Sequence, residues 1–143
     1  MGWETASQFP KRARARQQAI FELVETESSY VQELEFLVIV FYDTLKKSFS
    51  LLELKEIFSN VDDVWACSKV VLQDWLQRQN EQNYIVTQVA DLVMRLAESV
   101  SPYVVYCSNQ RQSSALLQTR MIKDSKFSEI VRVRFLMLVA RRF

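Results

Sequence analysis

The chain has 143 residues, of which 49% are apolar, enough for one domain with a sizeable core. Its formal net charge of +1 gives no general electrostatic attraction to nucleic acid. It has no histidine, so the most common general base and zinc ligand is absent. A single glycine excludes a glycine-rich phosphate loop, and only two prolines accompany it, which favours long helices over many tight turns.

Residues 1–15 are polar and basic, and we predict a disordered lead there. They lack the apolar core of a secretory signal, and no apolar run in the chain is long enough to span a bilayer, so we expect a cytoplasmic protein. The cations at the end of this segment are Lys11, Arg12, Arg14 and Arg16. They could make a weak peripheral membrane contact, although a solvated helix start is the more ordinary interpretation of four charges.

Residues 16–45 predict a long amphipathic helix. Its apolar side chains recur every three or four residues, at Ile20, Leu23, Val24, Val31, Leu34, Val38, Phe41 and Leu45. A helix of this length suits one side of an elongated bundle.

The polar side chains of this helix divide between two faces. At about 100° per residue, Glu22 projects away from the apolar stripe with Ser29 nearly in line. Thr26 and Glu33 flank that line. Glu27 projects into the stripe instead, where a carboxylate must be paired or hydrogen-bonded, so we predict a structural role for it.

The middle of the chain predicts further helices. Residues 50–53, Ser-Leu-Leu-Glu, form a capping box that starts a short helix through Phe58. Asn60 is expected to cap the next helix, and another is predicted from about Tyr84. Residues 101–102, Ser-Pro, could start a new helix or kink a continuous one.

The last part predicts a short helical segment at residues 115–121 and a final helix beginning at Phe127. Residues 133–143 are interpreted as an atypical tail, and no conformation is predicted for them. Apolar and basic residues alternate just before and into this tail, and a continuous apolar run follows.

No pattern for bond-making chemistry is present. Adjacent carboxylates such as Asp62 and Asp63 point apart on a helix, and no carboxylates have metal-ligand spacing. The cysteines, Cys67 and Cys107, are expected to be reduced thiols. We therefore assign no catalytic residue, metal or cofactor, and expect a binding function.

Three segments resemble conserved blocks of the Dbl-homology (RhoGEF) domain family, in a register similar to intersectin-type members. Residues 22–34, ELVETESSYVQEL, resemble the first block. Residues 57–60, IFSN, resemble the block in the following helix. Residues 106–110, YCSNQ, together with residues 115–117 and Phe127, resemble the second conserved region. Residues 16–132 are thus interpreted as a partial Dbl-homology domain. Nothing resembles the third block, which predicts a truncated isoform or fragment.

The resemblance implies an all-α, elongated antiparallel helical bundle and a guanine-nucleotide exchange factor for a Rho-family small GTPase. Such a factor binds the switch regions and promotes GDP release without covalent chemistry or a cofactor. Carried over to this chain, Glu22 would contact switch I. Helical geometry places Thr26, Ser29 and Glu33 beside it, and we expect them to complete the GTPase-binding strip. Truncation would weaken exchange. The alternatives are a non-catalytic helical interaction or scaffold module and, third, a membrane-associated helical domain.

Overall fold

The computed structural model describes residues 10–141 and the side chains of residues 10–137. Within that part the chain is all-helical and contains no strand, which confirms the predicted all-α bundle. The elements in chain order are α1 (Lys11–Phe36), a π-helical segment (Leu37–Tyr42), α2 (Asp43–Leu45), α3 (Leu51–Phe58), α4 (Val61–Glu81), α5 (Ala90–Glu98), α6 (Ser101–Lys123) and α7 (Ser125–Arg141).

The first helix begins earlier than the sequence predicted. The carbonyl of Pro10 accepts hydrogen bonds from the amides of Ala13 and Arg14, at 2.9 and 3.1 Å, and these bonds close the first turn. Residues 11–15 are therefore helical, and the prediction of disorder is wrong for them. Residues 1–9 of the predicted lead lie outside the described part.

A π-helical segment changes which side chains the end of this helix buries. Wider i→i+5 turns rotate the helix relative to an ideal α-helix. Tyr42 is consequently buried and packs edge to face on Phe58, with ring centroids 5.6 Å apart. Phe41, predicted for the apolar stripe, is only half-buried and packs on Phe36 at 5.7 Å.

The capping box at the start of α3 is confirmed. The Ser50 hydroxyl accepts from the Glu53 amide at 3.3 Å, and the Glu53 carboxylate accepts from the Ser50 amide at 2.9 Å. Asn60 precedes α4, but its side chain makes no cap there. Its amide nitrogen instead donates to the carbonyl of Pro102 at 3.0 Å, which joins the start of α4 to the start of α6.

The helix predicted from about Tyr84 begins only at Ala90. Asn83 and Tyr84 have φ values of 49° and 65°, a left-handed conformation that cannot continue a right-handed helix. Residues 85–89 have no regular secondary structure.

The C-terminal third is more regular than its sequence suggested. Residues 101–102 do start a new helix, with proline in its first turn. That helix runs unbroken to Lys123, so residues 115–121 are not a separate segment. The final helix continues through the predicted tail as far as Arg141.

The core lies in two clusters along α1 and α4. One cluster joins the first half of α1 to the second half of α4, with Trp75, Val86 and Leu92 at its centre. The other joins the π-helical segment to α3, the start of α4 and α7, with Leu45, Leu54 and Phe127 at its centre. With both ends of α1 anchored in this way, its outer face is presented on a fixed support.

Candidate functional site: the outer strip of α1

The four residues predicted to bind a partner lie on the outer face of α1. Glu22, Thr26, Ser29 and Glu33 are all exposed. Their spacing of three and four residues places them along one line, which we call the outer strip. Val24, Val31 and Leu34 are buried on the other side of the helix and pack it against the bundle.

Local hydrogen bonds hold the start of the outer strip. The Gln18 amide donates to the Glu22 carboxylate at 3.1 Å, one helical turn away. The Thr26 hydroxyl donates to the Glu22 carbonyl at 2.7 Å, as hydroxyls inside helices often do. Glu22 is exposed, so its carboxylate can accept further hydrogen bonds from a docked protein.

Glu27 faces inward, as its position in the apolar stripe predicted, and one of its two carboxylate oxygens, Oε1, is buried with no hydrogen bond among the described residues. Burial raises the pKa of this carboxyl above its usual range, because desolvation disfavours the charged form. The structural role predicted for Glu27 stays a prediction.

Two phenols from different helices, Tyr30 and Tyr103, have pKa values raised mainly by burial, and both lie close enough to Glu27 for its charge to raise these pKa values further. Burial, followed by the proximity of Tyr103, Tyr106, Glu27 and Cys107, raises the pKa of Tyr30 to about 12. Burial also raises the pKa of Tyr103, whose hydroxyl lies 2.6 Å from that of Ser68 on α4. The contact between the Tyr103 and Ser68 hydroxyls joins α6 to α4.

In residues 10–141, no group of three His, Cys, Asp or Glu side chains could hold a metal ion, and both cysteines are free thiols. None of the helices in that range is long and apolar enough to cross a membrane. An exposed polar strip on a supported helix is suited to docking another macromolecule.

The sequence of the whole helical unit identifies its family. A family model for the RhoGEF domain matches residues 19–136, which include the entire outer strip. The chain belongs to the RhoGEF domain family. Ephexin-1 of Rattus norvegicus is 36% identical to this RhoGEF domain over 118 residues, which cover 80% of the chain and 17% of ephexin-1. Rho guanine nucleotide exchange factor 26 of Homo sapiens is 31% identical over 121 residues, covering 82% of the chain and 14% of that protein.

Solved structures share the fold of this RhoGEF domain. The DH/PH fragment of PDZRHOGEF, crystallised in complex with human RhoA, superposes with a TM-score of 0.86 at 23% identity. That superposition covers 98% of this chain and 41% of the solved one. The DH/PH domains of p115-RhoGEF superpose with a TM-score of 0.75 at 24% identity. The chain thus spans less than a fifth of the two curated relatives and about two fifths of the DH/PH fragment.

The contact between the start of α1 and residues 82–89 could not be predicted from the sequence. Residues 82–89 pack on the beginning of α1, where Gln17 binds the backbone of Val86, 69 residues away. No periodicity or motif links two segments at that separation. The contact joins residues 82–89 to the end of α1 that carries the N-terminal cations.

Proposed function

We propose that this RhoGEF domain acts on a Rho-family small GTPase as a guanine-nucleotide exchange factor, and that the outer strip of α1 docks on the switch regions. The match of the RhoGEF family over residues 19–136 is the observation that carries the proposal. The exposure of all four strip residues supports it, because a switch region can approach them without any rearrangement of the bundle.

Exchange by such a surface depends on binding alone. A domain that binds the nucleotide-free GTPase more tightly than the loaded one must lower nucleotide affinity by the same factor, because the two equilibria are linked. Glu22 is proposed to contact switch I through its exposed carboxylate. The two core clusters behind α1 keep that carboxylate in place during docking, so little ordering of the helix opposes binding.

We further propose that these 143 residues alone exchange nucleotide slowly. No segment resembles the third conserved block, which in the family forms much of the GTPase-binding surface. With only part of the contact area available, binding of the nucleotide-free GTPase is weak, and the shift in nucleotide affinity is correspondingly small.

Release of a fluorescent GDP analogue from Rho and Rac proteins tests the function. We expect slow release with the chain itself and faster release with a chimera that continues from residue 132 into the corresponding segment of ephexin-1. In the chimera, Glu22→Ala is expected to lower the rate about tenfold, as loss of an interface anchor does. Absence of acceleration by the chimera with every GTPase tried would refute the proposal.

A scaffold function is the second candidate, and the open side of α6 favours it. No residue of this 23-residue helix is buried, so a partner could cover it. A scaffold would capture a nucleotide-free GTPase without accelerating release. Acceleration by the unmodified chain at catalytic concentrations would rule it out.

A further inference from the structure

The start of α1 and residues 82–89 form one surface. The Gln17 side chain donates to the Val86 carbonyl at 2.7 Å and accepts from the Val86 amide at 3.0 Å. The Arg16 guanidinium lies 3.4 Å from the same carbonyl. Val86 is 1% exposed, so this attachment is firm and fixes the neighbouring residues beside the helix.

The residues before Val86 present apolar groups to solvent. Tyr84 is 70% exposed and Ile85 is 38% exposed. The left-handed backbone at Tyr84, unfavourable for an aromatic residue, turns its ring outward. A Gln82 carboxamide oxygen accepts from the Thr87 amide at 2.7 Å, which closes the segment on itself and stabilises the outward conformation.

The adjoining helix end is positively charged. Lys11, Arg12, Arg14 and Arg16 are exposed, and none takes part in a salt bridge with another described residue. Arg12 and Arg16 lie one turn apart on the same flank as the Val86 contact. Residues 82–89 contain no acid, and the preceding Glu81 already accepts a hydrogen bond from Gln77.

We propose that this surface, made of Arg12 and Arg16 with Tyr84 and Ile85, docks on a phospholipid bilayer that contains anionic headgroups. Cations attract the headgroups, while an aromatic ring with a hydroxyl and an adjacent aliphatic side chain insert at the interface, where such groups are stable. A nucleic acid would pair with the cations but would leave Ile85 in water, so the apolar pair favours the bilayer. The inference does not depend on the proposed exchange activity.

Flotation of the chain with vesicles tests the proposal, because aggregated protein does not float. We expect binding to phosphatidylcholine vesicles that contain phosphatidylserine, little binding to pure phosphatidylcholine, and loss of binding at high salt. The substitution Arg12→Gln should lower partitioning about fivefold. Tyr84→Ser should lower it to a similar degree, about fivefold, without changing charge.

Arg111→Gln is the matched control, since this exposed arginine lies on α6. The control should bind as the unmodified chain does. Equal losses in the control and in Arg12→Gln, an unchanged affinity for Tyr84→Ser, or tighter binding to duplex DNA than to the vesicles would each overturn the proposal. Nucleotide exchange measured without lipid should be unaffected in all these variants, which separates this inference from the proposed exchange function.

Discussion

Glu22 and Glu27 have the same side chain and lie five residues apart on one helix, yet their surroundings differ. Glu22 is exposed and bonded only to its own helix, whereas one oxygen of Glu27 is buried without a partner. An ionised carboxylate in that position is destabilising unless it is compensated. The charged form of Glu27 is therefore unfavourable to the fold, whereas Glu22 keeps its carboxylate at the surface.

Replacing the buried carboxylate should make this effect measurable. The raised pKa of Glu27 means that its ionisation opposes folding at neutral pH, and that this opposition disappears when acid protonates the group. We expect Glu27→Gln to raise the free energy of unfolding by about 1 kcal/mol or less at neutral pH. Urea unfolding should show the gain shrinking on acidification. A loss of stability at neutral pH would show that a charged Glu27 is required.

The pKa of Glu53 is lowered, in contrast to the raised pKa of Glu27. The hydrogen bond from the Ser50 amide, then bonds from Arg120 and the Ser50 hydroxyl, lower its pKa from 4.5 to about 2. The Arg120 guanidinium reaches it from α6 at 2.8 Å. The folded state therefore gains from ionised Glu53 above pH 4.5 and loses that gain as the pH falls toward about 2.

Glu53→Gln should therefore flatten the dependence of stability on pH in that acid range. Unfolding midpoints of the variant and the unmodified chain should converge as the pH falls, because protonation has the same effect as the substitution. Glu56→Gln, at an exposed position on the same helix, should leave the pH dependence unchanged. Parallel curves for Glu53→Gln and the unmodified chain would contradict the role of this carboxylate.

At the scale of the elements, the positions of several helices could be predicted from the sequence because they depend on local patterns. The spacing of Ile20, Val24 and Val31 defines one face of α1, and Ser50 with Glu53 defines the start of α3. The end of α4 could not be predicted in this way. The chain leaves the helix at Asn83 and Tyr84, neither of which is a glycine, and a contact with distant Gln17 compensates.

The Gln17 contact should contribute more to stability than its polar, partly exposed side chain suggests. Gln17→Ala leaves the amide and the carbonyl of the buried Val86 without this partner, so we expect a loss of about 1–2 kcal/mol. Amide hydrogen exchange should also accelerate at residues 82–89. Gln18→Ala, which removes only an exposed bond to Glu22, should change stability by less than about 0.5 kcal/mol. Similar losses in both variants would show that the contact is unimportant.

At the scale of the whole molecule, much apolar surface is exposed. Large side chains with at least half of their surface in solvent include Leu51, Leu52, Met94, Val104, Ile122 and Leu136. Extensive apolar exposure is typical of surfaces that contact a partner or promote aggregation. We therefore expect the isolated chain to bind a hydrophobic dye, to unfold over a broad temperature range and to associate as its concentration rises. A sharp two-state transition from a monomer would contradict this expectation.

The two candidate surfaces differ in how far the sequence could predict them. The outer strip follows from helical periodicity, which places Glu22, Thr26, Ser29 and Glu33 opposite the buried face, and the resemblance supplies its partner. The proposed membrane surface could be anticipated only in part, from its cations. Tyr84 joins them through tertiary packing, which no local pattern records.

Binding of a Rho-family GTPase, nucleotide-free and GDP-loaded, tests the central claim most directly. The account predicts tighter binding of the nucleotide-free form, with a loss of about tenfold for Glu22→Ala. Glu35→Ala is the control, because Glu35 is exposed on the same helix at about 140° from Glu22 and should bind normally. Equal affinity for the two GTPase forms, or equal losses for Glu22→Ala and Glu35→Ala, would contradict docking through the outer strip.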